Sequence, residues 1–83
     1  MIKGGAALFD AVQIYMNGNQ SLYIENYKGL IHYTDQLIRI QAKKYKISVV
    51  GQELNIAAYT NEEMQITGFI TDIRFEYERR RRV

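Results

Sequence analysis

From Val12 onward, apolar side chains recur at every second position along most of the chain. This period of two constrains the fold more than any other feature, because successive side chains of a strand point to opposite faces of a sheet. Val12, Ile14 and Met16 begin the pattern, and Leu22 and Ile24 follow. Ile38, Ile40 and Ala42 continue it, then Ile47 and Val49, then Leu54, Ile56 and Ala58. Met64 and Ile66 lead into Ile73, Phe75 and Tyr77. A short apolar strand at Leu30-Ile31-His32-Tyr33 lies between the second and third of these groups.

The breaks between the runs carry turn chemistry. Asn17-Gly18-Asn19 supplies residues that tolerate positive φ, a strong hairpin signal. Asn26-Tyr27-Lys28-Gly29, Thr34-Asp35, Lys43-Lys44 and Gly51-Gln52 mark further turns. Thr60 and Glu63 have the spacing of a capping box, which fits a single helical turn, while a plain loop fits equally well. Gly68 falls inside an alternating run, so it is expected to bend one long strand. No helix-period segment is long enough for a parallel crossover.

These signals predict an all-β fold, an antiparallel meander of about seven short strands forming a small sandwich or a partly open barrel. The alternative is a short β-solenoid, since alternating apolar pairs recur around Gly51 and Gly68. Gly18, Gly29, Gly51 and Gly68 lie 11, 22 and 17 residues apart, whereas a solenoid needs a fixed period. The predicted core is Ile24, Ile38, Ile40, Ile47, Val49, Ile56, Ile66, Ile73 and Phe75. At least two of Gly18, Gly29 and Gly68 are expected to adopt backbone angles closed to other residues.

With 83 residues the chain has room for one domain with a thin core. Residues 1–11 read as a flexible arm, 12–78 as a single β-domain and 79–83 as a basic tail. The net charge of +2 conceals an uneven distribution. Residues 1–78 hold seven basic and nine acidic side chains, a net −2, and Arg79, Arg80, Arg81 and Arg82 reverse the sign. The tail reads either as an anion-contacting segment, for acidic lipid, protein or nucleic acid, or as a solvated end. The absence of cysteine fits a reducing cytoplasm and excludes disulfides and thiolate metal sites. No apolar stretch has the length of a leader peptide or a membrane span.

No catalytic site is legible. His32 and Asp35 could meet across a turn, but nothing in the sequence supplies a pocket or an orienting partner, and a lone histidine on a short strand is usually structural. Glu62-Glu63 has no histidine beside it, and Gly4-Gly5 has no Lys-Ser/Thr after it to hold a phosphate. No metal or cofactor is expected. Seven tyrosines, with Tyr27-Lys28 and Lys44-Tyr45-Lys46, suggest a nucleic-acid platform. The acidic body disfavours that reading, and half-buried strand faces or a protein interface account for the rings better.

The run Gly18-Asn19-Gln20-Ser21-Leu22-Tyr23-Ile24-Glu25-Asn26-Tyr27-Lys28-Gly29-Leu30-Ile31-His32-Tyr33-Thr34 resembles the signature of YqfC-type proteins of the YabP/YqfC sporulation family. Ile47 to Ile56 and Met64 to Phe75 are also similar, so the resemblance covers residues 12–77. His32 stands where an acidic residue is expected, and the Arg79–Arg82 run is not a family feature. The resemblance implies a non-enzymatic protein of spore envelope assembly, cytoplasmic in the mother cell and close to the forespore membrane. It also implies a membrane-protein partner of the YqfD type. Open strand edges in a thin-cored sheet add an expectation of homo-oligomers, with Ile73, Phe75 and Tyr77 of the last strand as the interface. The runner-up reading is a small nucleic-acid-binding β-domain.

Overall fold

The computed structural model describes residues 11–77. Both the arm and the arginine tail read from the sequence fall, apart from Ala11, outside the described residues. Six strands are formed: β1 (Gln13–Asn17), β2 (Ser21–Glu25), β3 (Gly29–Tyr33), β4 (Leu37–Gln41), β5 (Tyr45–Tyr59) and β6 (Glu63–Tyr77). All neighbours are antiparallel, in one open sheet of order β1-β2-β6-β5-β4-β3. The all-β antiparallel expectation holds, and the uniformly antiparallel pairing leaves no place for a solenoid.

Among the described residues the strands number six, where about seven were expected. Gly51-Gln52 is not a turn: it lies inside β5, whose 15 residues run through it. The glycine there serves close approach between strands, not a change of direction. A Cβ on Gly51 would collide with the carbonyl oxygen of Phe69 on the paired strand. Gly68 does bend a long strand, at φ 131, and its Cβ would strike the Glu53 carbonyl. Register shifts between Val50 and Gly51 and between Gln52 and Asn55 mark bulges, which bend and twist the ribbon at its middle. Gly18 is the second glycine at positive φ, at 64, while Gly29 is ordinary.

Thr60 makes a tight turn without a helix. Its Oγ1 accepts the N–H groups of Glu62 (3.2 Å) and Glu63 (2.9 Å). Thr34 does the same for Gln36 and Leu37 between β3 and β4. The threonine side chain therefore satisfies the donors that a helical turn would have used.

The sheet has an approximate internal two-fold repeat. The β1–β2 hairpin pairs with the first part of β6, residues 63–67, and β3–β4 pairs with the first part of β5, residues 46–50. A shift of 16 positions carries Gln13 onto Gly29, where β1 and β3 begin, and Ser21 onto Leu37, where β2 and β4 begin. The turn carbonyls follow the same rule. Those of Asn19 and Gln20 accept from Ile70 (2.8 Å) and Gly68 (3.2 Å), and those of Asp35 and Gln36 accept from Leu54 (2.8 Å) and Gly51 (3.1 Å). The core repeats as well: Leu22 with Ile38, Ile24 with Ile40, Met64 with Ile47, Ile66 with Val49, and Ile70 with Leu54, all buried in one cluster.

Six predicted core residues (Ile24, Ile38, Ile40, Ile47, Val49 and Ile66) are fully buried. Ile56 and Ile73 are only half-buried, at equivalent places on the two long strands. Phe75 departs from the expectation, being 48% exposed. It lies opposite the buried Ile47, hence on the core-side face, but beyond the reach of the hairpins that cover that face. Alternation reads the face of a residue correctly and says nothing of where along the strand the cover ends.

Candidate functional site

The two long strands outrun their covering hairpins. The β2 strand pairs with β6 only over Glu63–Thr67, so among the described residues no strand pairs with the outer edge of β6 from Thr71 to Tyr77. This stretch contains Ile73, Phe75 and Tyr77, the residues assigned to an interface from the sequence. Ile73 is half-buried, and Tyr77 is 68% exposed. Tyr45 holds the exposed rings in place, its centroid 5.7 Å from Phe75 and 5.0 Å from Tyr77. The strand ends in an aromatic cluster that is open to solvent and already ordered within the chain.

The opposite face of the same stretch is charged. The Arg74 Nε donates to Asp72 Oδ2 at 2.6 Å, and the Arg39 guanidinium donates to Glu76 Oε1 at 2.6 Å. Arg39 also donates from Nε to Ser48 Oγ at 3.3 Å. These pairs are solvent-accessible and add little stability, but they fix alternating charges along β6. Where the β1–β2 turn ends, a shallow groove of about 290 Å³ opens beside the free edge. It is lined by Met16, Ile70, Thr71, Asp72 and Ile73.

The corresponding edge of β5 is closed differently. The Tyr33 hydroxyl accepts the N–H of Ile56 at 3.0 Å and donates to Asn55 Oδ1 at 3.4 Å, so a side chain occupies the edge. Met16, the counterpart of Tyr33 by pairing (opposite Leu22 as Tyr33 is opposite Ile38), has no hydroxyl to do the same for β6.

The other candidates do not converge. His32 and Asp35 are exposed, on β3 and the turn after it. Among the described residues no group of three metal-ligating side chains forms. The tyrosines are divided. Tyr15 and Tyr23 stack at 5.8 Å on the outer face, beside the paired Glu25 and Glu63, which is a poor setting for phosphate. The Tyr23 phenol is raised above its usual pKa, by desolvation first and then by Glu63. Tyr27 is buried, and its hydroxyl donates into the carbonyls of Thr60 (2.6 Å) and Glu63 (3.0 Å), tying the β2–β3 connection to the tip of the long hairpin. Burial, with Tyr59 and Glu63 nearby, pushes it up to about 12. Sequence reasoning missed the role of Tyr27, because alternation cannot distinguish a buried turn tyrosine from an exposed one. Among the described residues no helix is long and apolar enough to cross a membrane.

The YabP family model matches residues 10–82. A relative from Bacillus subtilis (strain 168), the uncharacterized protein YqfC, is 29% identical over 68 residues, which is 82% of this chain and 73% of its own length. No solved structure matches.

Proposed function

The chain belongs to the YabP family, and from that premise we propose that it is a non-enzymatic structural or adaptor module acting in spore envelope assembly. Family membership suggests a sporulation-related protein. The proposed mode of action is association through the free edge of β6, with copies of itself, with a membrane-protein partner of the YqfD type, or with both. The proposed setting is the mother cell, peripheral to the forespore membrane.

One observation carries this reading: a strand presents Phe75 and Tyr77 to solvent beside a backbone edge that no strand pairs among the described residues, and the equivalent edge of β5 is plugged by Tyr33. An edge of this kind accepts an added strand, which brings backbone hydrogen bonds and apolar contact together. The thin core gives a reason for the addition, because more apolar surface leaves water in the pair than in the single chain. The arginine tail follows this edge closely in sequence, so an acidic partner surface would suit it. Sedimentation at tens of micromolar tests the reading. Species heavier than the 9.7 kDa chain are expected, and a monomer throughout the range leaves only the hetero-partner form.

A further inference from the structure

We propose that the partner strand at this edge is β6 of a second copy, paired antiparallel about a two-fold axis through Ile73. The proposal rests on the self-association reading above and adds its symmetry and register.

The sequence of the edge selects the register. Along Asp72-Ile73-Arg74-Phe75-Glu76 the charges alternate negative, positive, negative, all on one face. Antiparallel pairing centred on Arg74 sets Arg74 against Arg74, and Asp72 against Glu76, of the other copy. Directly opposed like charges destabilise a sheet. Centring on Ile73 sets Asp72 against Arg74 of the other copy twice over, once on each side of the axis. Ile73 meets Ile73, and Phe75 falls opposite Thr71.

Position supplies a second argument. A two-fold axis perpendicular to the sheet keeps the core-side faces of both copies together. Phe75 lies on that face, opposite Ile47, and so does Met16, opposite Leu22. The Phe75 ring of one copy is therefore directed at the groove beside Thr71 in the other, between Met16 and Ile73. The arrangement is isologous and closes at two copies, so it makes a dimer and not a filament. Centring on Phe75 would also pair opposite charges, Arg74 with Glu76, and it sets Tyr77 of one copy against Ile73 at the rim of the groove in the other.

Charge reversal decides between these registers. Asp72 and Arg74 are 42% and 63% exposed at the side chain, so the core does not depend on them. Asp72→Arg and Arg74→Asp, made singly, are each expected to weaken dimerisation about tenfold, since each creates two like-charge contacts. The double swap Asp72→Arg/Arg74→Asp restores every contact and is expected to recover wild-type dimerisation. Under the Phe75-centred register the double swap sets the carboxylate introduced by Arg74→Asp against Glu76 of the other copy and fails to recover it. The chain has no cysteine, so single-cysteine variants report geometry directly. Ile73→Cys is expected to oxidise to a covalent dimer, because residues at a two-fold centre bring their Cβ atoms close together. Cross-linking by Phe75→Cys in place of Ile73→Cys overturns the register. A wild-type dimer indifferent to charge reversal overturns this interface and leaves self-association standing elsewhere on the chain. A wild-type monomer overturns both.

Discussion

The Tyr33 hydroxyl stands 3.0 Å from the backbone nitrogen of Ile56 and accepts its hydrogen, so a side chain from β3 takes the place of a neighbouring strand along β5. The hydroxyl is the only polar atom of that ring, and Tyr33→Phe frees the β5 edge while keeping the ring. Stability should change by no more than about 1 kcal/mol, because an exposed N–H recovers its bond from water. Association should change more. With two open edges per chain, sedimentation velocity should show species beyond the dimer that grow with concentration. A mass distribution identical to wild type would show that the β5 edge is protected by something other than this hydroxyl.

Truncations in the core should follow cover and not pattern. Ile40 is fully buried, and Ile40→Ala should cost roughly 2–5 kcal/mol. Ile56 alternates just as regularly but is half-buried, so Ile56→Ala should cost roughly 1–2 kcal/mol. Urea denaturation of the two variants measures the difference directly. Equal losses would mean that the β5 end is covered in solution.

The two positive-φ glycines should separate in the same way. At Gly18 an added methyl meets nothing within 4 Å, so Gly18→Ala should cost only the left-handed backbone strain, about 1–2 kcal/mol. At Gly68 the same methyl meets the Glu53 carbonyl and lies 2.8 Å from Leu54 Cα, both backbone, with φ at 131 in addition. Gly68→Ala should exceed about 4 kcal/mol and leave the chain largely unfolded, as circular dichroism would show. A folded Gly68→Ala protein with an unchanged midpoint would remove the bend at this position.

Tyr27 makes the fold sensitive to alkali. Its pKa is about 12 in the folded chain, against 10.0 for a free tyrosine. An acid whose folded pKa is raised is fully stabilising below the unfolded value. That contribution should fade as pH rises from about 10 to about 12, amounting to roughly 2–3 kcal/mol. Tyr27→Phe should lose about 1 kcal/mol at neutral pH, from the bonds to Thr60 and Glu63, and should flatten the alkaline decline. Melting temperatures between pH 8 and 11 would test both parts, and an equal decline in the variant would assign it to other groups.

Much of the fold was legible because strand faces follow a strict period. Ile24, Ile38, Ile40, Ile47, Val49 and Ile66 follow from that period alone. The places where reading failed share a cause. Gly51 is needed because Phe69 approaches it across the sheet, and Phe75 is exposed because β2 stops short of it; both facts concern partners distant in sequence. The internal repeat was hidden for another reason. Residues 13–28 and 29–44 agree at only three positions, Gln20 with Gln36, Ile24 with Ile40 and Lys28 with Lys44. What repeats is backbone pairing and burial, which many sequences satisfy. The free edge itself was legible only as a strand with three apolar residues on one face; its notch, and the plug on its counterpart, needed the pairing.

That repeat bears on how the molecule opens. Each outer hairpin is fastened to its own half of the long ribbon, and the strand pairing places no hydrogen-bonded ladder between the two hairpins. The two hairpins are joined through the single core cluster, so either one lifts away only by giving up its share of that cluster, and the sheet has two flaps that open at different cost. The flaps differ in their fastenings: β3–β4 has the Tyr33 bond and the Arg39 bonds to Ser48 and Glu76, against the 3.5 Å bond from Gln65 Nε2 to Ser21 Oγ for β1–β2. Amide protons of β2 should therefore exchange with solvent before those of β4, the strand in the same place on the other flap, and the lifting of β1–β2 would lengthen the open edge of β6 toward Glu63.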